Sequence, residues 1–362
     1  MKQIVTFGLC AALISSVIVT AGCSDTRKKM QMKSFKIKTI TAENVHGVMA
    51  PDDDHIWIVG NYGIIYHSSD GGATWTKQQS GIKDAVLVDG IFLDNREGWV
   101  AGMFGTVLHT DNGGGTWTKQ TTGTQRHLFD VSFVDRQYGW AIGEWGTIIH
   151  TTDGGTTWAA QGEESDKIYN NVCFVDRHTG WIVGEQGIIL HTRDGGATWA
   201  RQMPRQFERE SLEDELENPR PPLFCIQFKD AHNGWICGID GTIMKTSDGG
   251  ATWHFIAPIT DLALYTIFLQ NGKAYIVGDK GAYLTSEDSG TTWALKTDVI
   301  KSKQPFRDVW FSSPGKGWIV GAAGTVVHTT DGGTTWDFYS GLSYAMEFFQ
   351  MPKALEFGGG VE

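Results

Sequence analysis

Thr151-Thr152-Asp153-Gly154-Gly155-Thr156-Thr157-Trp158 is one of seven copies of a single phrase: a Ser or Thr, usually Asp-Gly-Gly, then Thr-Trp. Its tryptophans are Trp75, Trp117, Trp158, Trp199, Trp253, Trp293 and Trp336, spaced 40–43 residues apart except for one interval of 54. A period near 41 with a fixed phrase in each unit marks a repeat architecture. Within the phrase, Asp153 is placed to accept hydrogen bonds from the backbone N–H groups that follow it. Gly154 and Gly155 permit the positive φ of a tight turn.

A second landmark lies upstream of each tryptophan, as in Gly98-Trp99-Val100-Ala101-Gly102, Gly139-Trp140-Ala141-Ile142-Gly143 and Gly317-Trp318-Ile319-Val320-Gly321. The first and sixth units keep part of it, as Ile56–Gly60 and Ala274–Gly278. An alternating run such as Gly146-Thr147-Ile148-Ile149-His150-Thr151 follows, in which every other side chain can face one side of a sheet. The third unit then predicts four strands, near 128–134, 140–143, 147–151 and 157–160, with no room for a helix. Four short antiparallel strands per repeat make one propeller blade. The expected fold is all-β, a seven-bladed β-propeller with four antiparallel strands per blade over residues 35–340. Both sets of tryptophans are expected between neighbouring blades, with Trp158 inside its fourth strand.

The phrase resembles the Asp-box, or BNR repeat, of sialidases, sortilin-like receptors and many bacterial propellers. Its structural positions are Asp70, Asn112, Asp153, Asp194, Asp248, Asp288 and Asp331. Asn112 departs from the pattern but keeps an acceptor oxygen, and the sixth copy has Ser289 in place of a glycine. Ring closure is expected from Phe35-Lys36-Ile37-Lys38-Thr39-Ile40, which precedes unit one as a fourth strand precedes each later unit and is expected to join the last blade.

Residues 1–22 read as a separate message. Lys2 supplies a positive start, 4–20 is apolar, and Thr20-Ala21-Gly22-Cys23 puts small residues before a cysteine. This pattern is a secretion signal rather than a membrane span. It resembles the bacterial lipoprotein signal, which implies lipidation at Cys23 and, with Ser24 next, the outer membrane facing the periplasm. Residues 23–34, with Arg27, Lys28, Lys29 and Lys33, form the expected tether; 341–362 is a C-terminal extension with no assigned role.

The formal net charge is −11, and loss of a signal that carries Lys2 and no acid leaves the remainder one unit more negative. Such a surface disfavours nucleic acid and anionic lipid headgroups as partners, so membrane attachment falls to the anchor. The expected state is a monomer without a cofactor. Outside residues 1–23 the cysteines are Cys173, Cys225 and Cys237, an odd number that excludes a complete disulfide framework. Cys225 and Cys237 fall on adjacent strands and either pair or remain buried thiols. His67, His109, His150, His191 and His328 hold one repeated position on different blades. Since stacked sheets lie about 10 Å apart, they cannot close around one metal and read as structural.

Catalysis finds little support. Sialidases have an Arg-Ile-Pro phrase and a converging arginine triad, whereas Arg201, Arg205, Arg209 and Arg220 cluster in one insertion and the phrase is missing. Glu144, Glu185 and Asp279 read as turn residues rather than an acid/base pair. What remains is a disc with two faces. One holds the Asp-box turns; the other holds the turns between second and third strands, where the repeats diverge. Candidate partner-binding residues stand there: Tyr62, Phe104, Glu144, Trp145, Glu185, Asp240 and Asp279. Exposed aromatics serve contact surfaces well; packing against a neighbouring loop is the alternative for Tyr62, Phe104 and Trp145. The long interval places an acidic insertion on the same face, with Glu208, Glu213 and Glu217, as a short helix or a loop.

Across residues 35–340 the paired landmarks resemble the photosystem II stability and assembly factor family of seven-bladed propellers. That resemblance implies a non-enzymatic scaffold or chaperone for a membrane complex, here of the cell envelope. Family members acting on photosystem II use a basic arginine patch, which has no matching cluster in this acidic chain. The competing reading is a glycan-binding or glycan-hydrolysing Asp-box protein, favoured by converging arginines or paired carboxylates around a central channel.

Overall fold

The computed structural model describes residues 40–162, 164–209 and 211–340. They form seven four-stranded antiparallel sheets, each built from four strands consecutive in sequence. Blade three is typical, with strands Leu128–Phe133, Gly139–Gly143, Ile148–Thr151 and Ala159–Gln161. Each first strand packs on the first strand of the next blade, and that of blade seven (Phe306–Phe311) packs on that of blade one (Val45–Met49), so the ring closes. The propeller is therefore as expected. The closing strand at 35–40 lies outside the described residues except for Ile40, whose N–H donates to Ser340 Oγ at 3.1 Å.

The two sequence landmarks are halves of one joint. Trp140 is fully buried and lies flat on Phe174 of blade four, ring centres 3.5 Å apart, with His150 of its own blade on the other side at 4.8 Å. Its Nε1–H donates to the carbonyl of Gly195, in the Asp-box of blade four, at 3.0 Å. Trp99 makes the same bond to Gly154 at 3.1 Å and Trp181 to Gly249 at 3.1 Å. A tryptophan fits because a flat apolar body and one polar edge are both required. The equivalent histidines stack on Trp57, Trp99, Trp140, Trp181 and Trp318. Burial lowers His67 and His328 to about 4, so both stay neutral at pH 7. Lys245, in the histidine position of blade five, sits 5.2 Å above the Trp235 ring.

All seven Asp-box acceptors work as expected. Asp153 accepts from Thr157 N–H at 2.8 Å and from the Thr157 hydroxyl at 2.7 Å, while Gly155 N–H donates to Thr151 Oγ1 at 2.8 Å. Asn112 accepts from Thr116 N–H at 2.9 Å, and Ser289 adopts the positive φ, 56°, of the missing glycine. Gly155, at φ 87°, is needed for space as well, because a Cβ there would land on the Gln120 carboxamide of blade two. That carboxamide bridges the blades by donating to Gly154 O at 2.9 Å and accepting from Trp158 Nε1–H at 3.1 Å.

One expectation needs correction. Trp158 precedes its fourth strand and is only half-buried, as are Trp75, Trp117, Trp199 and Trp293; Trp253 and Trp336 alone of that set are buried. The phrase turns the chain at the outer rim, where one side of the indole meets solvent. Of the two forms expected for the insertion between blades four and five, the helix is present: Leu212–Glu217, capped by Ser211 Oγ accepting from Asp214 N–H. Cys173, Cys225 and Cys237 are free thiols, with Cys225 and Cys237 opposite each other on adjacent strands.

Candidate functional site

The turns between second and third strands put one residue per blade in the left-handed region. They are Tyr62 (φ 57°), Phe104 (58°), Trp145 (58°), Gln186 (57°), Asp240 (53°), Lys280 (51°) and Ala323 (53°). Each costs on the order of 1 kcal/mol relative to glycine. Three successive blades place large aromatics there and leave them out in solvent, Tyr62 at 62 %, Phe104 at 49 % and Trp145 at 47 % exposure. Each of the two readings keeps a part, since these side chains are exposed and two of them also touch the adjoining connection. Neighbours steady them without covering them: Arg126 lies 5.0 Å over the Trp145 ring, and Phe104 meets His127 edge-on at 4.8 Å.

The blade-to-blade connections share this face. Gly63 N–H donates to Ala85 O, Gly105 N–H to Arg126 O and Gly146 N–H to Lys167 O. Glu144 accepts from His127 N–H at 2.9 Å, so it ties its turn to the connection rather than standing alone. Glu185 and Asp279 are half-buried at the same place in blades four and six, and Asp240 is exposed in blade five. The insertion is fixed over the turn of blade four. Phe207 is buried against Phe255, Arg220 Nε donates to Phe207 O at 2.8 Å, and both side chains lie against Gly187. Glu208, Glu213 and Glu217 are exposed on it.

Among the described residues, every large hydrophobic side chain exposed by more than about a third belongs to this face. Besides the three aromatics, Ile168 and Ile259 lie in connections, and Met203 and Leu216 in the insertion. The Asp-box face carries none. Unlike a scattered surface leucine, which needs no explanation, a one-sided distribution makes this face the candidate contact surface.

A feature the sequence reading missed lines the central channel. Every first strand has a β-bulge, seen as a register shift at Val45/Gly47, Leu87/Asp89, Tyr169/Asn171, Leu223/Cys225, Leu264/Thr266 and Phe306/Asp308, and opposite Ile142/Gly143 in blade three. A bulge re-aims side chains. The extra residues, among them His46, Phe129, Phe224, Tyr265 and Arg307, line a channel mouth of about 290 Å³. The next residues form a second ring, which includes Asp89, Asp130, Asn171, Cys225 and Asp308 and opens into about 230 Å³. Asp130 accepts from Val172 N–H of the next blade at 2.8 Å, Asn171 from Ile226 N–H at 2.8 Å, Cys225 Sγ from Ile267 N–H at 3.5 Å, and Asp308 from Val48 N–H at 2.8 Å across the closing seam.

Three carboxyls thus stand around the channel. Burial pushes Asp89 up to about 7, although part of it faces the channel; burial and then the Asp89 charge hold Asp130 and Asp308 well above the usual carboxylate range. Paired carboxylates here were the signal for a glycan hydrolase. Yet Asn171 and Cys225 make the same inter-blade bond as Asp130 and Asp308, so in those four blades the position is a structural acceptor, while Asp89 accepts from Gly90 N–H of its own strand at 2.7 Å. Breaking strict alternation by one residue was the only sequence sign of it.

Fold and face together define a seven-bladed Asp-box propeller whose exposed large hydrophobic side chains, among the described residues, lie on one face. The chain belongs to the family described as "Photosynthesis system II assembly factor YCF48", whose sequence pattern it matches over residues 27–126, 116–208, 206–297 and 257–339. Among solved structures it is similar to "YCF48 bound to D1 peptide", at 22% identity and TM-score 0.66, covering 81% of this chain and 94% of that one. It is also similar to YCF48 from Cyanidioschyzon merolae, at 18% and 0.65, covering 81% and 97%. The xyloglucanase of Xanthomonas campestris shares the fold at 12% and 0.66, covering 84% of this chain and 55% of that one. No individually curated protein matches the chain significantly.

Proposed function

We propose that this chain is a non-enzymatic, protein-binding propeller that acts as an assembly or stability factor for a membrane complex of the bacterial envelope. It is held there as a monomer by lipid at Cys23, in the outer membrane facing the periplasm. The observation that carries the reading is the confinement of exposed apolar side chains to one face, with Tyr62, Phe104 and Trp145 held at a backbone cost that their exposure does not repay. Family membership supports it, since a member has been solved with a bound D1 peptide. The described ends of the chain, Ile40 and Ser340, also meet on this face, where Ala323 N–H donates to Asn44 Oδ1.

Two variants test the reading. Cys23→Ser should abolish labelling by a palmitate analogue and free the protein from membranes after lysis; persistent labelling would sink the anchor. Trp145→Ala should weaken capture of the envelope partner with the melting temperature nearly unchanged. The glycan reading predicts instead a glycosidase activity lost in Asp89→Asn or Asp130→Asn.

A further inference from the structure

We propose that the contact face takes a segment that is both apolar and basic: a stretch of a partner protein carrying Lys or Arg beside its anchoring apolar side chains. This inference rests on the protein-binding reading and adds the charge of the partner.

Around the ring, the aromatic arc runs through blades one, two and three and leads directly into an acidic sector. The connection from blade three to blade four presents Glu164 and Asp166, exposed at 71 % and 76 % of their side chains. The insertion then adds Glu208, Glu213 and Glu217, all exposed. Of the basic residues in the same sector, Lys167 pairs with Asp166 at 3.0 Å and Arg205 is exposed, while Arg209 and Arg220 turn back on the loop. Arg209 donates to the carbonyls of Asn218, Gln206 and Glu208 at 2.7–2.9 Å, and Arg220 to that of Phe207. The Arg209 and Arg220 guanidiniums hold the loop to itself, whereas Glu208, Glu213 and Glu217 face water, so carboxylates outnumber cations on the surface an approaching chain meets.

The aromatic end already shows the chemistry it prefers. Between blades two and three lies a groove of about 290 Å³, lined by Trp145, Ile148, Trp158, Arg126 and Glu164. Arg126 spans it, its guanidinium over the Trp145 ring and 2.6 Å from Glu164 Oε1. An aromatic face beside a carboxylate is a cation's surroundings. This pair is exposed and therefore weak, so a partner's lysine or arginine can take the place of Arg126 while a neighbouring apolar residue enters the groove. An acidic segment would meet repulsion from the exposed carboxylates of the insertion.

Two labelled peptides with identical apolar residues, one carrying lysines and one glutamates, are to be titrated against the full-length Cys23→Ser chain. The lysine peptide should bind about tenfold more tightly, and weaken as salt rises from about 0.05 to 0.3 M. Its affinity should fall severalfold in Trp145→Ala and in Glu208→Gln/Glu213→Gln/Glu217→Gln, whose melting temperatures should match the parent's. Equal binding of the two peptides, tighter binding of the glutamate peptide, or lysine-peptide affinity unchanged in both variants overturns the inference. So does tighter association with phosphatidylglycerol vesicles than with the lysine peptide. If the peptides are not distinguished but Trp145→Ala loses the envelope partner, the contact face stands and its charge preference falls. Capture unaffected by both Trp145→Ala and Phe104→Ala removes the face itself, and the inference with it.

Discussion

Trp140 and Asp89 show how far one residue's surroundings decide its worth. Trp140 has no solvent contact, two stacked neighbours and a partner for its N–H. Its replacement by alanine should cost about 3–5 kcal/mol in denaturant unfolding. Trp158, equally regular in the sequence, is half-buried at the rim, and its alanine variant should lose about 1–3 kcal/mol. Asp89 works against the fold at high pH. Its folded-state pKa, about 7, lies above the free value, so the folded protein binds the extra proton and stability falls as pH rises through that window. Asp89→Asn should therefore raise the melting temperature more at about pH 8 than at about pH 5. An equal gain at both would show that the carboxyl is not protonated in the fold.

At the scale of the element, the Asp-box turn is a small circuit of side-chain-to-backbone bonds that frees its glycine carbonyl for the preceding blade. Hydrogen bonds from Thr157 hold Asp153 below the usual carboxylate range. The depressed value means that this contribution is present above the free pKa and is lost as acid titrates the folded carboxylate. Blade two shows what the element tolerates, since Asn112 makes the bond from Thr116 N–H unaided by charge. Asp153→Asn should thus be nearly silent by thermal melting at pH 7, while Asp153→Ala lowers the midpoint. A large loss in the asparagine variant would mean that charge, rather than an acceptor, is required.

Over the whole molecule, the weak point of any ring is the seam between its ends. Here each blade is complete within its own stretch of chain, so no described strand crosses from one end to the other. The seam is held by packing of Trp318 against Trp75 and Val45, by the Ile40–Ser340 contact, and by Asp308 accepting from Val48 N–H. Asp308→Ala leaves that buried N–H without its partner and should cost about 1–3 kcal/mol. Asp308→Asn, which keeps an acceptor as Asn171 does in blade four, should cost less. Equal losses in the two would mean that the seam depends on volume rather than on the bond.

Periodicity alone determined the number of blades, the four strands of each and the Asp-box acceptors, because every repeat solves one local problem with the same residues and the answer is printed seven times. It also located the divergent face, since turns that do not repeat are turns whose residues are not needed for the blade. Three things were settled only by the tertiary structure. Whether Tyr62, Phe104 and Trp145 are covered depends on loops from neighbouring blades, which no local pattern reports. The difference in burial between Trp140 and Trp158 depends on distance from the ring axis, and both lie in equally regular phrases. The ring of Asp89, Asp130 and Asp308 exists because a bulge in each inner strand turns an otherwise misaligned residue into the channel, and because closure brings blades far apart in sequence around one axis.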